Sequence, residues 1–151
     1  MVLLANVRCL LGVSNHRQQV CERRLDKAMR SLELVERDLY EFDQQIQGLT
    51  ELLASYRTDD QRLSHPQFLM FLRRQAVIRR RISNLAVERA ELIERRQGVT
   101  EDIQRLREMR IQMDKTHMKY QHLQQRLLKE QRSYQRRQEE NDIEELLVNF
   151  K

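Results

Sequence analysis

An all-α fold is expected: a long antiparallel two-helix coiled-coil hairpin whose second helix is longer than the first. Three features of the sequence predict it. Leu25, Ala28, Leu32, Val35, Leu39, Phe42, Ile46, Leu49, Leu53 and Tyr56 stand in an unbroken 3-4-3-4 rhythm. Phe71, Ile78, Leu85, Leu92, Val99, Leu106, Met113, Tyr120, Leu127 and Tyr134 follow at strict seven-residue intervals. The 151 residues include only three Gly and one Pro, too few for the closely spaced turns of a sheet protein. A seven-residue period holds one narrow stripe on one side of an α-helix, and that stripe is buried only against another helix.

The first helix is expected from about Leu3 to Arg57. Its heptad phase runs back, more weakly, through Cys21, Gln18, Ser14, Leu11, Val7 and Leu4. Gly12, Gly48 and Gly98 all fall at outward heptad positions, where each costs about 1 kcal/mol of helix propensity without opening the seam. The turn is placed at 58–64, in Thr58-Asp59-Asp60-Gln61-Arg62-Leu63-Ser64, a stretch without heptad apolars. Ser64-His65-Pro66-Gln67 then reads as a capping box with proline in the first helical turn, where its missing N–H costs nothing. The second helix is expected from about His65 to about Glu140, roughly 110 Å at ~1.5 Å per residue. Residues 1–140 thus form a single hairpin, followed by a short acidic tail at 141–151 that carries Ile143, Leu146, Leu147 and Phe150 among its acids.

A short connection makes the two helices antiparallel neighbours. One register sets Leu53 against Phe71, Ile46 against Ile78, Leu39 against Leu85, Leu32 against Leu92 and Leu25 against Val99. It also sets Tyr56 against Phe68 and Phe42 against Ile82, and it continues to Leu11 with Met113 and Leu4 with Tyr120. Residues beyond about 121 then overhang the first helix. The seam is richest in Phe, Leu and Ile near the turn. Farther away the second helix offers Gln75, Arg89, Arg96, Arg110 and His117, whose long Arg stems lie over a seam with their heads in water. The end remote from the turn is therefore expected to fray when the protein is alone.

Net charge is +5, and Arg supplies most of the 28 basic side chains. The first third of the chain is balanced, the middle is strongly basic, and the last residues are acidic. Cys9 and Cys21 would stand about 18 Å apart on one helix, too far for a bridge. Together with the absence of a basic leader or an 18-residue apolar run, this predicts a reducing setting without a signal peptide or direct membrane insertion.

No catalytic, cofactor-binding or metal-binding residues emerge. The sequence has no G-x-x-x-x-G-K loop, no H-E-x-x-H and no C-x-x-C. His16, His65, His117 and His122 are scattered and read as solvated helix residues. A thin helical pair also lacks the concave site that would shift a carboxylate pKa. A non-enzymatic protein without cofactors is expected. The sharpest local feature is Phe68-Leu69-Met70-Phe71-Leu72-Arg73-Arg74-Gln75. Phe68 and Phe71 are assigned to the seam. Leu69, Met70 and Leu72 cannot all reach it, which leaves either a loop-covered hairpin tip or an exposed docking knob. Arg73, Arg74, Arg79, Arg80 and Arg81 form a basic cluster, read as a solvated face or as a patch for an acidic protein or nucleic acid. Base-stacking aromatics are not interleaved with it, which argues against single-strand binding. A basic coiled coil for nucleic acid and a generic dimeric scaffold are the alternative function classes.

The stretch Gln61-Arg62-Leu63-Ser64, Phe68, Leu72-Arg73-Arg74-Gln75 and Val77-Ile78-Arg79-Arg80-Arg81-Ile82 resembles the central stalk proteins of type III secretion systems. These are the InvI/SpaM and YscO-type proteins, similar in fold to the flagellar export protein FliJ. Chain length and the position of the turn agree with the resemblance. The rest of the chain matches only as a coiled coil. The resemblance implies a virulence-associated cytosolic hairpin whose partners are a hexameric type III export ATPase and the cytoplasmic domain of the export gate protein. Some members also bind export chaperones. It implies a gate contact at the turn end, at Phe68, Phe71, Leu72, Arg73 and Arg74. It implies an ATPase contact at the terminal end, where register alone selects Leu4, Val7, Arg8, Leu11, Lys115 and Lys119. The acidic tail has no counterpart role.

Overall fold

In a computed structural model the protein consists of helix α1, Val2–Ser55, and helix α2, His65–Asn149. The structure describes residues 2–56 and 62–150. Thr58, Asp59, Asp60 and Gln61 of the expected turn lie outside the described residues. There are no strands among the described residues, and the second helix is the longer, as the two heptad runs predict. The chain divides into two compact units, one formed by residues 26–104 and the other by 1–25 with 105–151.

The first unit holds the turn-proximal halves of both helices. Val35, Leu39, Ile78, Leu85 and Ile103 are its buried side chains, and Leu85 is 1 % exposed. All but Ile103 belong to the predicted stripes, and Ile103 lies on the same heptad phase as Ile82 and Arg89. Ala28, Leu32, Phe42, Ile46, Leu49, Leu53 and Tyr56 on α1 and Phe71, Gln75, Ile82, Arg89, Leu92 and Val99 on α2 are half-buried beside them. The α2 start follows the expected cap. The Ser64 backbone N–H donates to Gln67 Oε1 at 3.1 Å, and the Phe68 N–H donates to the Ser64 carbonyl at 2.9 Å. The first bond pairs a donor that a helix start would otherwise leave free, and the second is the first i→i−4 bond of the helix.

Register differs from the expectation. Tyr56 does not pair with Phe68. Its ring meets Phe71 edge-on, with centroids 6.0 Å apart, and its carbonyl accepts from Gln75 Nε2 at 3.3 Å. Phe68 is 44 % exposed, off the seam to which the rhythm assigned it. The reason lies in the periodicity itself. Slipping one heptad stripe along another by a turn or two leaves apolar facing apolar, so the stripes alone do not choose. The choice falls to contacts that are not periodic. Edge-on aromatic packing favours Phe71 beneath Tyr56, and the Arg89 guanidinium reaches Asp43 across the helices.

The second unit shows the same displacement. Ser14 Oγ bonds His117 Nδ1 at 3.0 Å, Gln18 Nε2 donates to Asp114 Oδ1 at 2.8 Å, and Arg110 pairs with Glu22 at 3.0 Å. Leu4 shares a groove with Leu127, not with Tyr120. Coverage of α2 consequently runs farther than expected. Gln124, Leu127, Leu128 and Gln131 are still half-buried, and every described residue from 132 onward is exposed. The overhang therefore begins near 132 rather than 121, and Tyr134, the last member of the seven-residue series, projects into solvent. Buried residues in this unit are Val7, Ser14, Cys21 and Leu25, a smaller and more polar set than near the turn. The unevenness read from sequence is thus present in the packing.

Helix α2 continues to Asn149 instead of ending near Glu140, and it takes in most of the acidic tail. Between Gly98 and the end there is no Gly or Pro, and Arg, Gln, Glu and Leu are strong helix formers. Side-chain bonds one turn apart, Arg126 to Glu130 and Gln138 to Tyr134, support the exposed stretch. The three glycines have open space where a Cβ would stand, consistent with their outward heptad positions.

Replacing Leu85 by Ala should destabilise the protein by about 2–5 kcal/mol, because the seam cannot collapse around so enclosed a side chain. Gly48→Ala should stabilise by up to about 1 kcal/mol, having gained helix propensity at no steric cost. Urea unfolding followed by circular dichroism measures both. Equal midpoints for Leu85→Ala and wild type would contradict this packing.

Candidate protein-docking surfaces

The described residues contain no cluster of His, Cys, Asp and Glu suited to a metal ion. No helix of the described residues is long and apolar enough to cross a membrane. What the molecule offers instead is surface, and it differs between the two units.

In the turn-proximal unit, Phe68, Leu69, Met70 and Leu72 are all exposed, with Leu72 at 42 %. They crowd the first turns of α2 because the seam accepts one apolar residue per three or four, and Phe71 takes that place. Arg73 and Arg74 follow immediately and are also exposed. The five residues assigned to the gate contact therefore divide. Phe68, Leu72, Arg73 and Arg74 face outward, whereas Phe71 is half-buried against Tyr56 and supports the patch from beneath. Apolar surface with cations beside it suits an apolar partner surface rimmed by carboxylates.

In the other unit, Arg8, Lys115 and Lys119 are exposed, and Leu4 and Leu11 are half-buried. Val7 is 2 % exposed, so it belongs to the seam and cannot touch a partner while the helices stay paired. The heptad phase had already placed Val7 on the inner stripe, and the signal that separates it from Arg8 is this phase. Leu3 and Leu4 line a shallow groove with Leu127 and Tyr134. A second groove lies beside the seam among Val20, Cys21, Leu106, Met109 and Met113. Cys21 is buried there, its thiol 3.5 Å from the Leu106 carbonyl, and Cys9 is exposed; both are free.

Sequence reasoning missed the polar partners. His117 reads as a solvated helix histidine, but it is half-buried and bonded to Ser14. The Arg heads at 89 and 110 do reach beyond the seam, yet each ends on a carboxylate of the facing helix, Asp43 or Glu22. The acids stand beside the apolar stripe, where a search for long-range partners could have found them. Both ion pairs are substantially solvent-exposed, so each contributes at most about 1 kcal/mol. Their value is in choosing between registers that bury nearly the same apolar area.

The Ser14–His117 layer yields a testable asymmetry. Ser14→Ala alone should cost about 0.5–1.5 kcal/mol by removing one partner, whereas Ser14→Ala with His117→Leu should be neutral or stabilising. Hydrogen exchange of the amides around 14 and 117 reads the difference. A double variant exchanging faster than the single one would count against this account.

Residues 5–147 match the family model described as Salmonella surface presentation of antigen gene type M protein. No curated protein and no solved structure matches the chain. The match spans both helices, the exposed apolar patch at the start of α2 and nearly all of the exposed end of α2. The chain belongs to the Salmonella surface presentation of antigen M family, the InvI/SpaM proteins associated with type III secretion.

Proposed function

We propose that the protein is the non-enzymatic stalk of a type III export apparatus. In this role it links the hexameric export ATPase to the cytoplasmic domain of the export gate, at the cytosolic face of the apparatus. It also offers a surface to export chaperones. The observation that carries this reading is the covered seam found in both units of a chain belonging to this family. A part that transmits displacement between two machines needs paired helices that resist bending and slipping. It does not need a pocket. Here the stripes are filled within one chain, the polar contacts fix the register, and the recognition chemistry lies on the outside.

The two partners are assigned to different residues. Phe68, Leu72, Arg73 and Arg74, with Phe71 behind them, meet the gate through an apolar patch flanked by cations. Arg8, Lys115 and Lys119, with Leu4 and Leu11 beside them, meet the ATPase, and acidic loops in the ATPase ring would steer such a basic surface toward them. Val7 contributes by holding the helices together. A seam of small and polar residues in this unit leaves it the more easily tightened by an enclosing partner.

Adding the purified chain to the hexameric ATPase should raise ATP turnover. Lys115→Glu with Lys119→Glu should lower that stimulation several-fold. Phe68→Ala with Leu72→Ala should weaken binding to the gate's cytoplasmic domain about tenfold, equal to 1.4 kcal/mol, and leave the stimulation intact. Turnover that stays the same with and without the chain would defeat the assignment to the ATPase.

A further inference from the structure

The exposed end of α2 carries an apolar stripe that is not a continuation of the seam. The seam positions run on as Gln131, Tyr134, Gln138, Asn141, Glu145 and Val148, which are mostly polar. Ile143, Leu146, Leu147 and Phe150 instead recur at i, i+3, i+4 and i+7 on another face, all exposed, with Phe150 at 86 %. The Phe150 N–H donates to the Leu146 carbonyl at 3.2 Å, so the helical geometry carries this residue onto the stripe. One turn earlier on the same face stand Glu139 and Glu140, both exposed. From its N-terminal end the face thus reads acidic, then apolar.

The start of α2 presents the reverse order. Leu69, Leu72, Arg73, Ala76, Arg79 and Arg80 share one face by the same spacing, and all are exposed. From its N-terminal end this face reads mainly apolar, with Arg73 among the apolar residues, then basic. Laid antiparallel, the two faces match in a single register. Phe150 meets Leu69, Leu147 meets Leu72 and Ile143 meets Ala76. Glu140 then meets Arg79, and Glu139 meets Arg80. Three apolar pairs and two ion pairs form, and the aliphatic stem of Arg73 lies across from Leu146. A parallel arrangement would place the carboxylates on Leu69 and strand the Arg side chains beside Leu147.

We infer that the 139–150 face of one copy of this chain docks antiparallel onto the 69–80 face of a second copy. The occupant is the chain itself because the complementary order of charge and apolar residues is already written in it. The two faces are different surfaces, so the contact is heterologous rather than isologous. It buries only about three turns of helix on each side and belongs to the weak, transient class of interfaces. Screening matters because the ion pairs are solvated, so the association weakens as salt rises. This contact does not depend on whether the chain meets an ATPase.

Sedimentation of the full-length protein over a concentration series reaching about 1 mM tests it. Wild type should self-associate more at low salt than at high. Glu139→Arg with Glu140→Arg should remain monomeric over the same range, and so should Arg79→Glu with Arg80→Glu. Mixing these two variants should restore association, because the Arg-bearing tail of one then faces the Glu-bearing patch of the other. All four positions are exposed, and circular dichroism confirms that both variants keep their helices. A wild-type protein monomeric throughout would overturn the inference. So would variants that associate as wild type does, which would place the contact elsewhere, or a mixture that stays monomeric.

Discussion

Everything in this molecule depends on a single dry stripe along each helix that has only the other helix to cover it. A two-helix seam has no second layer behind it. Each apolar side chain is therefore covered on one side by its partner and bounded on the other by solvent. Leu85 is the most enclosed side chain, and few others approach it. Burial of an aliphatic side chain contributes about 1.5–3 kcal/mol, while ordering each backbone residue costs about 1–2 kcal/mol. With one seam residue for every three or four ordered, burial alone falls short of that cost. Internal helix hydrogen bonds and strong helix formers must supply the rest, and the near absence of Gly and Pro follows from that requirement.

The single seam also explains why polar contacts have an influence here beyond their energy. In a globule a slipped register would bury charges or open cavities. In a two-stranded seam a slip by a turn or two exchanges one Leu–Leu layer for another. Asp43 with Arg89, Glu22 with Arg110, Gln18 with Asp114 and Ser14 with His117 are each weak, and each breaks if the helices slide. Tyr56 on Phe71 closes the turn-proximal end in the same sense. A handful of contacts that are not periodic thus select one state among several that the periodic contacts leave nearly equal.

This marks the boundary of what the sequence discloses. Helix existence, relative length, the cap at Ser64 and the membership of both stripes were legible, because each depends on local chemistry or on a period that recurs many times. Register was not, because Phe68 and Phe71 both satisfy an apolar requirement and only three-dimensional packing tells them apart. The end of α2 was also misjudged. An acid-rich segment after a basic one looks like a boundary in composition, but helix propensity is indifferent to the sign of charge, and Glu continues a helix as readily as Arg. Among the candidate surface residues selected by register, Val7 falls on the inner stripe, where it is buried. Arg8 and Lys115 were chosen in the same way and do lie outside.

A molecule with one seam has most of its residues on the surface, so a partner is recognised by stripes of residues rather than by a cavity. The first turns of α2 illustrate the consequence. Apolar residues there exceed what the seam can accept, and the surplus at Phe68, Leu69, Met70 and Leu72 stands in water at a cost to solubility that arginines next in sequence offset. The far end of α2 repeats the arrangement with acids in place of arginines. Had these residues served only to lengthen a helix, Gln, Lys or Glu would have done so without exposing hydrocarbon. Exposed apolar stripes with charge of one sign at one helix end and of the other sign at the opposite end are therefore better explained by contacts than by folding. In the proposed contacts, partner choice is set by the order of charge along a helix face, which is also the property that a slipped or reversed docking would violate.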